Sequence, residues 1–499
     1  MAKANDHRQN ARTAGKQTGK QTGKLTACPL AKKCGGCQLQ NMTYEEQLGF
    51  KQQKCKRLLG RYAKVSPILG MEDPTHYRCK VQAAFSYDYR HRRLVSGVYQ
   101  SNSHRVVPVN DCLIENKKAD EIIVSIRKLA QSFKFQAYDE DSKRGFLRHV
   151  QVRIGYNTGE VMVVIVSGKP MFPSKKNFVK ALLKEHPEIT TIVHNVNPYH
   201  TNLVLGPKND VLYGKGYIED ELCGCTFRIS PGSFYQINPQ QTEVLYNTAM
   251  DFAGLTGNET FFDAYCGTGT IGIIAATKGA KRVIGVELNK TAVRDAKSNA
   301  RRNNIENIEF YAGDASRFIT DMAAAGEKVD VIMMDPPRAG STEEFLTAVC
   351  KMAPPKVVYV SCNPETLARD LKFLTSKGYI AQKVQPVDMF PYTEHVETVC
   401  CLYHQKKEFI SVPYEPKNAD YLKRIPGSAT YDEIKEWIQK HYNGMKVSNL
   451  YIAQIKDKHG LDKRENYNIS KNPEAKVPVC PPEKEQAIEA ALRHFRMIP

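Results

Sequence analysis

Long apolar runs are absent from this sequence. No stretch approaches the roughly eighteen consecutive apolar residues of a membrane span, and the N-terminus has no apolar segment of the secretory type. Both absences argue against membrane insertion and predict a cytoplasmic protein. Its 14 cysteines are therefore expected to be mostly reduced, so clustered cysteines indicate metal ligands or nucleophiles rather than disulfides.

Acidic residues are also in short supply. Asp and Glu number 53 against 71 Lys and Arg, which gives a formal charge of +18. This excess favours a polyanionic partner such as nucleic acid, although charge alone does not choose between RNA, DNA and acidic membranes. The 499 residues exceed the length of one domain, so we expect about two to four domains.

Composition changes divide the chain into four regions. The first is basic and polar, the second combines clustered cysteines with strand patterns, the third alternates strands with helices, and the fourth has only helical patterns. Alternating strands and helices are typical of a doubly wound parallel sheet. We therefore predict a disordered basic tail, a cysteine segment with a β-rich domain, an α/β domain and a helical appendix, at residues 1–27, 28–227, 228–406 and 407–499.

Local patterns predict the main elements. A helix is expected from Thr43 to Leu59, opened by a capping box of Thr43 and Glu46. Three helices are expected in the appendix, beginning near Thr430, Ser448 and Pro482. Strands are predicted at 81–87, 150–154, 161–166, 260–264, 282–287, 308–311, 329–334, 357–361 and 396–403, and further helices at 270–278, 290–303 and 364–376.

Two features could contact a polyanion. The basic tail could bind phosphates without specificity or serve only as a solubilising end. Basic and aromatic residues alternate between Tyr87 and Arg93, and they could stack and hold single-stranded bases. The solvated end of a hairpin accounts for the same pattern, and the sequence alone favours that reading.

A glycine-rich turn predicts a nucleotide-type cofactor. The residues from Gly267 to Gly272 fit G-x-G-x-x-G, a pattern shared with nicotinamide and flavin enzymes. Glu287 ends the next predicted strand, where it could accept hydrogen bonds from a ribose diol. Asp314 and Asp335, after the following strands, favour S-adenosylmethionine over a dinucleotide. Gly267 and Gly269 would let the backbone pass close to the cofactor.

The segment Asp335-Pro336-Pro337-Arg338 narrows the target base. Methyltransferases that act on the adenine amino group typically have an aromatic residue where this chain has Arg338. RNA cytosine-5-methyltransferases have a second cysteine beside this segment, where this chain has two prolines. Uracil is left as the better target.

A cysteine and a carboxylate suit chemistry at uracil C5. Cys362 follows a predicted strand in Ser361-Cys362-Asn363-Pro364, at a carboxyl end where ligands bind. Its thiolate could add to C6 and activate C5. Glu397 could then remove the C5 proton. The alternative interpretation is that Cys362 is an ordinary buried cysteine and Glu397 a surface charge. An ordinary structural role fits most other cysteines of the chain, but it fits Cys362 less well because Cys362 follows a strand at the edge where ligands bind.

These motifs, in this order, resemble the RNA uracil-5-methyltransferase family over roughly residues 28 to 404. The resemblance implies a Rossmann-like class I methyltransferase domain, an N-terminal iron–sulfur and β-rich RNA-binding domain, and S-adenosylmethionine as donor. It implies that Cys362 is the nucleophile and Glu397 the base. Donor contacts carry over to Gln236, in the Phe-Tyr-Gln-x-Asn motif, and to Tyr265, Thr270, Glu287, Asp314 and Asp335.

Four cysteines form a candidate metal site, and their spacing alone does not choose between zinc and an iron–sulfur cluster. They are Cys28, Cys34, Cys37 and Cys112. The arrangement is similar to the [4Fe-4S] ligand set of the ribosomal-RNA members of the family, which implies a structural cluster. It also makes 23S ribosomal RNA the expected substrate.

The expected function has two alternatives. One is methylation of uracil in transfer RNA, and the other is a non-catalytic role as an iron–sulfur RNA-binding protein. Many relatives begin with a small RNA-binding β-barrel, the TRAM domain, for which residues 1–27 are too short and polar. Another part of the chain is then expected to grip the RNA. We expect a monomer with no membrane partner.

Overall fold

The computed structural model of the protein describes residues 28–405, apart from 102 and 202, together with residues 429–461 and 478–498. The chain forms two compact units, Met1–Lys406 and Lys407–Pro499. The predicted basic tail at residues 1–27 lies outside the described residues. In the part of the chain that is described, no helix combines the length and the apolar character needed to cross a bilayer.

The described chain opens with α1 (Ala31–Cys34), α2 (Tyr44–Leu59) and the short strand β1 (Lys64–Val65). The predicted capping box is confirmed. The Thr43 hydroxyl accepts a hydrogen bond from the Glu46 amide at 3.3 Å, and the Glu46 carboxylate accepts one from the Thr43 amide at 2.8 Å. This reciprocal pair satisfies two amides at the helix end and fixes where α2 begins.

A seven-stranded sheet forms the centre of the first unit. Its elements are β2 (Lys80–Asp88), β3 (Arg93–Tyr99), β4 (Val106–Pro108), α3 (Lys117–Ser132), β5 (Leu147–Ile154), β6 (Val161–Ser167), α4 (Lys175–Glu185), β7 (Ile189–Val196) and β8 (Lys208–Tyr213). The strand order is β4-β3-β2-β5-β6-β7-β8, and the β6–β7 pair alone is parallel in this sheet.

Both faces of this sheet are covered. Apolar residues of α3 and α4 pack with one face, and the other face joins the core of the following α/β region. The strands predicted at 81–87, 150–154 and 161–166 are confirmed. Helices α3 and α4 were not expected, although α3 buries Ala119, Ile122, Ile123, Ile126 and Ala130 at helical spacing.

A hairpin and a helix lead into the large sheet: β9 (Ile218–Leu222), β10 (Cys225–Ile229) and α5 (Pro239–Ala253). The large sheet and its helices follow as β11 (Thr260–Ala264), α6 (Thr270–Thr277), β12 (Arg282–Glu287), α7 (Lys290–Arg302), β13 (Ile308–Ala312), α8 (Ala315–Ala324), β14 (Val331–Met334), α9 (Glu343–Met352), β15 (Lys356–Ser361), α10 (Pro364–Ser376), β16 (Tyr379–Val387) and β17 (Glu397–His404).

The large sheet has the order β1-β16-β17-β15-β14-β11-β12-β13. Its strands are parallel except β17, which runs antiparallel to both β15 and β16. The expected doubly wound α/β fold is therefore confirmed, with one reversed strand that the sequence did not predict. The predicted strands of this region are confirmed to within two residues at each end, whereas α8, α9 and β16 were not predicted.

The second unit is helical, as predicted. It contains α11 (Tyr431–His441), α12 (Asn449–Lys458) and α13 (Pro482–His494). Thr430 and Ser448 cap the first two helices through their hydroxyls. Ile434, Ile438 and Leu492 are fully buried in a core of its own, so this unit has the interior that an independent fold requires.

Candidate active site at the carboxyl ends of the strands

Parallel strands β11 to β15 all end at one edge of the large sheet. Ligands of doubly wound sheets bind outside this edge. Each strand delivers one predicted site residue there, either as its last residue or within the next two: Tyr265, Glu287, Asp314, Asp335 and Cys362. The fold thus gathers residues that are up to about a hundred positions apart in sequence.

The turn after β11 approaches Glu287. Gly267 and Gly269 have φ angles of 54° and 81°, in the region that favours glycine. A Cβ at Gly269 would also lie 2.6 Å from the ring of Phe310. The Glu287 carboxylate accepts hydrogen bonds from the amides of Gly267 at 3.2 Å and Asn289 at 2.9 Å. These contacts hold the carboxylate at the position expected for a ribose partner.

A cavity of about 640 Å³ opens beside this turn. Its walls include Gly267, Thr268 and Glu287 on one side, and residues 230–234 on the other. Phe234 is 70% exposed, so its ring is available to a ligand. The volume falls within the range of about 300 to 1,000 Å³ that is usual for small-molecule sites.

The other predicted donor contacts lie outside the lining of this cavity. The Tyr265 hydroxyl lies 3.2 Å from the Ser341 hydroxyl, and the Thr270 hydroxyl lies 3.4 Å from that of Thr268. Asp314 caps α8 by accepting a hydrogen bond from the Arg317 amide at 3.0 Å. Gly267 and Glu287 are therefore the two predicted residues that border this cavity directly.

The central sheet holds the segment that carries Gln236. The Arg153 guanidinium donates to the Ser233 carbonyl at 3.0 Å, and the Gln151 amide donates to the Pro231 carbonyl at 3.2 Å. Both side chains are buried on β5. Sequence analysis did not identify them, because nothing local marks a strand residue whose partner lies 80 positions away.

The reversed direction of β17 brings Glu397 to Cys362. In the β15–β17 pair Ser361 faces Thr398. Cys362 directly follows Ser361 and Glu397 directly precedes Thr398, so these two residues are neighbours. Had β17 run parallel to β15, its first residue would lie at the opposite edge of the sheet. The two predicted catalytic side chains are thus brought together by strand direction and register.

Burial and the repulsion between neighbouring negative charges raise the pKa values of both Glu397 and Cys362. Burial, followed by the nearby Asp335, raises the pKa of Glu397 to about 8, and burial raises the pKa of Asp335 to about 7. Burial and then these two carboxylates raise the pKa of Cys362 to about 11, while Arg338 acts in the opposite direction. Strongly perturbed groups of this kind, gathered at one edge, are typical of functional sites.

A buried carboxylate that the sequence did not reveal holds the loop after β14. Asp370 on α10 accepts hydrogen bonds from the Ser341 amide at 2.8 Å and the Tyr359 hydroxyl at 2.6 Å. The Thr366 hydroxyl donates to the Arg338 carbonyl at 3.4 Å. The loop that carries Asp335 and Arg338 is thereby fastened to the helix that follows Cys362.

Helix α2 holds the loop that leads into β17. The Lys51 ammonium pairs with Asp388 at 2.6 Å, both side chains fully buried, and donates to the Phe390 carbonyl at 3.0 Å. The Gln47 side-chain carbonyl accepts a hydrogen bond from the Tyr392 amide at 2.7 Å. This loop ends at Glu397, so α2 helps to position the candidate base.

Replacing Lys51 with methionine should lower the free energy of unfolding by about 3–5 kcal/mol, because Asp388 would stay buried without its partner. Lys54→Met is the matched control. Its ammonium lies 3.9 Å from the largely exposed Glu365, so its loss should cost less than about 1 kcal/mol. Denaturant unfolding of both variants measures the difference, and equal costs would show that the buried pair does not stabilise this junction.

The four candidate metal ligands line one small cavity together. Burial raises the pKa of Cys34 and Cys37, and that of Cys112 to about 12. Among the described residues, no group of three or more His, Cys, Asp or Glu side chains is arranged to hold a metal ion. A single zinc ion needs sulfurs at about 2.3 Å, and the described geometry does not provide such a set.

Comparisons with known proteins identify the family. A family model described as "tRNA (Uracil-5-)-methyltransferase" matches residues 43–406. This chain belongs to that family. The match includes Cys362, Glu397 and every predicted donor contact, whereas Cys28, Cys34 and Cys37 precede it.

Relatives of this uracil-5-methyltransferase family member are named as RNA methyltransferases. An uncharacterized RNA methyltransferase of Halalkalibacterium halodurans is 46% identical over 380 residues, covering 75% of this chain and 82% of its own. One of Listeria monocytogenes is 43% identical over 407 residues, covering 81% and 89%.

A solved structure has the same fold. The Pyrococcus abyssi tRNA (uracil-54, C5)-methyltransferase in complex with S-adenosyl-L-homocysteine superposes with a TM-score of 0.63 at 29% identity, covering 74% of this chain and 85% of that one. The class I methyltransferase fold and dependence on S-adenosylmethionine follow for this RNA methyltransferase.

Proposed function

We propose that this protein methylates C5 of uracil in RNA, with Cys362 as nucleophile and Glu397 as base. The observation that carries the proposal is that β15 and β17 bring these two side chains together. They lie at the same sheet edge as the turn of Gly267 and the Glu287 carboxylate. Nucleophile, base and donor site can therefore act on one uracil ring.

The proposed reaction begins with addition, because uracil C5 alone reacts poorly with a methylsulfonium. The Cys362 thiolate forms a bond to C6, and the displaced electron pair makes C5 enolate-like. Bound S-adenosylmethionine would supply a methyl group from its sulfonium to C5, with the S–CH3 bond broken and S-adenosylhomocysteine left as the neutral thioether. Glu397 then accepts the C5 proton, the C6–sulfur bond breaks, and Cys362 leaves as a thiolate.

The perturbed ionisation of the pair fits two successive roles. A Glu397 pKa of about 8 leaves this carboxyl largely protonated at neutral pH, which removes one of the charges that oppose the Cys362 thiolate. Arg338 also favours the thiolate. Glu397 must lose its own proton before it can accept the one from C5, so the release step should depend on pH.

We infer that 23S ribosomal RNA is the substrate. The four cysteines support this choice, because their arrangement resembles that of the ribosomal-RNA members. The family description and the Pyrococcus abyssi enzyme both name transfer RNA, which makes transfer RNA the alternative. In either molecule the target is expected in a single-stranded loop, because chemistry at C5 requires a base that has left the stack.

Mass mapping of 5-methyluridine in ribosomal and transfer RNA from a strain lacking the gene tests the proposal. We expect the modification to disappear from 23S ribosomal RNA. Its disappearance from transfer RNA alone would keep the chemistry and replace the substrate. Unchanged 5-methyluridine in both would contradict uracil methylation and favour a non-catalytic RNA-binding role.

We also propose that Cys28, Cys34, Cys37 and Cys112 hold a [4Fe-4S] cluster. Their shared cavity supports this, because the four thiolates that a cluster of this kind needs all border one space. Cys37 and Cys112 pack against a small apolar cluster that includes Tyr392, which lies in the loop before Glu397. The cluster would therefore tie the N-terminal segment to the part of the chain that leads into the site.

Protein purified without oxygen should be brown and contain about four iron and four sulfide per chain. Cys112→Ser should lose both, because a ligand is removed. Cys350→Ser, at a half-buried cysteine on α9, is the matched control and should keep both. Stoichiometric zinc without sulfide would contradict the cluster.

A further inference from the structure

A second large cavity lies on the central sheet. It has a volume of about 660 Å³ and forms between the β2–β3 turn, the end of α3 and the loop into β5. It shares no lining residue with the cavity beside Gly267. Gly145 borders it, whereas Arg153, eight positions along the chain, contacts the segment at the first cavity. Gly145 precedes the first residue of β5 and Arg153 is its second-to-last residue, so the two places lie toward opposite ends of this strand.

Two tyrosines give this cavity an exposed aromatic surface. Tyr89 is 82% exposed and Tyr87 is 41% exposed. Their rings meet edge to face, with centroids 5.0 Å apart and an interplanar angle of 74°. Tyr87 therefore supports Tyr89 on one side, while most of the Tyr89 ring stays accessible to a ligand. An open aromatic face is a platform on which any nucleic-acid base can stack.

The lining of this cavity is positively charged. Arg92, Lys134 and Arg144 border it, and none of the ion pairs between described residues involves them. The single acidic residue of the lining is Asp139, whose carboxylate already accepts a hydrogen bond from the Ser142 amide at 2.7 Å. The net charge and the unpaired cations favour an anionic ligand.

Two of these cations occupy backbone positions that favour glycine. Arg92 and Lys134 have φ angles of 50° and 59°, and Lys134 directly follows the C-cap of α3, where glycine is the commonest residue. Glycine at position 134 would relieve backbone strain while removing the charge. Because the relief of strain offsets the entropy that glycine adds to the unfolded chain, we expect this variant to keep its fold.

We infer that this cavity binds a single-stranded segment of the RNA substrate, with one base stacked on Tyr89 and adjacent phosphates contacted by Arg92, Lys134 and Arg144. The inference rests on the proposed function for the choice of RNA as ligand. Because the two cavities share no lining residue and lie toward opposite ends of β5, the bound segment is separate from the target uridine. An acidic protein segment is the competing occupant.

Equilibrium binding of a fluorescein-labelled, unstructured 20-nucleotide RNA to the full chain tests the inference across a range of salt concentrations. Tyr89→Ala should weaken binding by between about fivefold and a hundredfold without changing the salt dependence, because stacking is lost. Tyr89→Phe should restore the affinity. Lys134→Gly should lower the slope of log affinity against log salt by about 0.7, as expected for one phosphate contact on a single strand.

Lys143→Gly is the matched control. Lys143 is an exposed cation with a φ of 55° that does not line the cavity, so this variant should keep the wild-type slope. Equal slopes in the two glycine variants would assign the effect to general charge and overturn the inference. So would affinities within twofold of wild type for both Tyr89→Ala and Lys134→Gly, the result expected if an acidic protein segment is the occupant.

The test is separate from that of the proposed chemistry. Binding of the 20-nucleotide RNA needs no methyl transfer, so Cys362→Ala should bind it with wild-type affinity. Absence of 5-methyluridine formation, with the Tyr89 and Lys134 effects present, would reject the proposed reaction and retain this site. Normal methylation without those effects would reject the site and retain the reaction.

Discussion

Replacing Cys362 with alanine should abolish methylation of uracil while S-adenosylmethionine still binds with near wild-type affinity. The proposed donor contacts at Gly267 and Glu287 do not involve Cys362, whereas addition to C6 depends on its sulfur. Removal of a nucleophile lowers the rate by a factor on the order of 10⁴ or more. Methyl transfer to RNA and calorimetric titration with the donor measure the two properties separately.

An RNA that contains 5-fluorouridine identifies the nucleophile directly. Fluorine at C5 cannot leave as a proton, so the C6–sulfur bond should persist in the wild type, and peptide mapping should find the adduct on Cys362. Cys350→Ala, a change at a half-buried cysteine on α9, should still methylate and be trapped. An adduct on Cys266, next to the glycine turn, would reject the assignment.

The residues at the strand ends could be predicted because each follows a local pattern. Apolar runs end at Glu287, Asp335 and Cys362, and the carboxyl ends of parallel strands necessarily meet at one edge. The glycines that follow β11 also give a local signal, since the positive φ angles at Gly267 and Gly269 favour a residue without a side chain. The pattern of apolar residues along the strands and the glycines of the turn therefore locate most of the candidate site.

The supports of the site could not be predicted because their partners are distant in sequence. Lys51 and Asp388 are separated by 337 positions, and each looks like an ordinary surface charge in its own segment. The direction of β17 is equally invisible, because an apolar strand pattern is the same in both directions. That direction decides whether Glu397 lies beside Cys362, so the pairing of nucleophile and base depends on long-range topology.

Replacing Glu397 with glutamine should allow addition and methyl transfer but stall release, because an amide cannot accept the C5 proton. Loss of a general base usually costs about 10²- to 10⁴-fold in rate. The expected product is a protein–RNA adduct that survives denaturation and carries the new methyl group, as gel shift and mass spectrometry would measure. Glu394→Gln, at an exposed carboxylate three residues away, is the matched control and should turn over normally.

The pH dependence of this step has a defined sign. Burial and Asp335 raise the pKa of Glu397 to about 8, so its basic form increases as pH rises toward that value. Wild-type adduct should therefore be more abundant near pH 6 than near pH 9, whereas the glutamine variant should show no such trend.

The raised pKa of Glu397 also favours the folded protein below about pH 4.5, and this contribution to stability is lost as pH rises through about 8. The melting temperature of Glu397→Gln relative to wild type should thus increase from pH 5 to pH 9. Normal multiple turnover by this variant, or pH-independent release by the wild type, would place the base elsewhere.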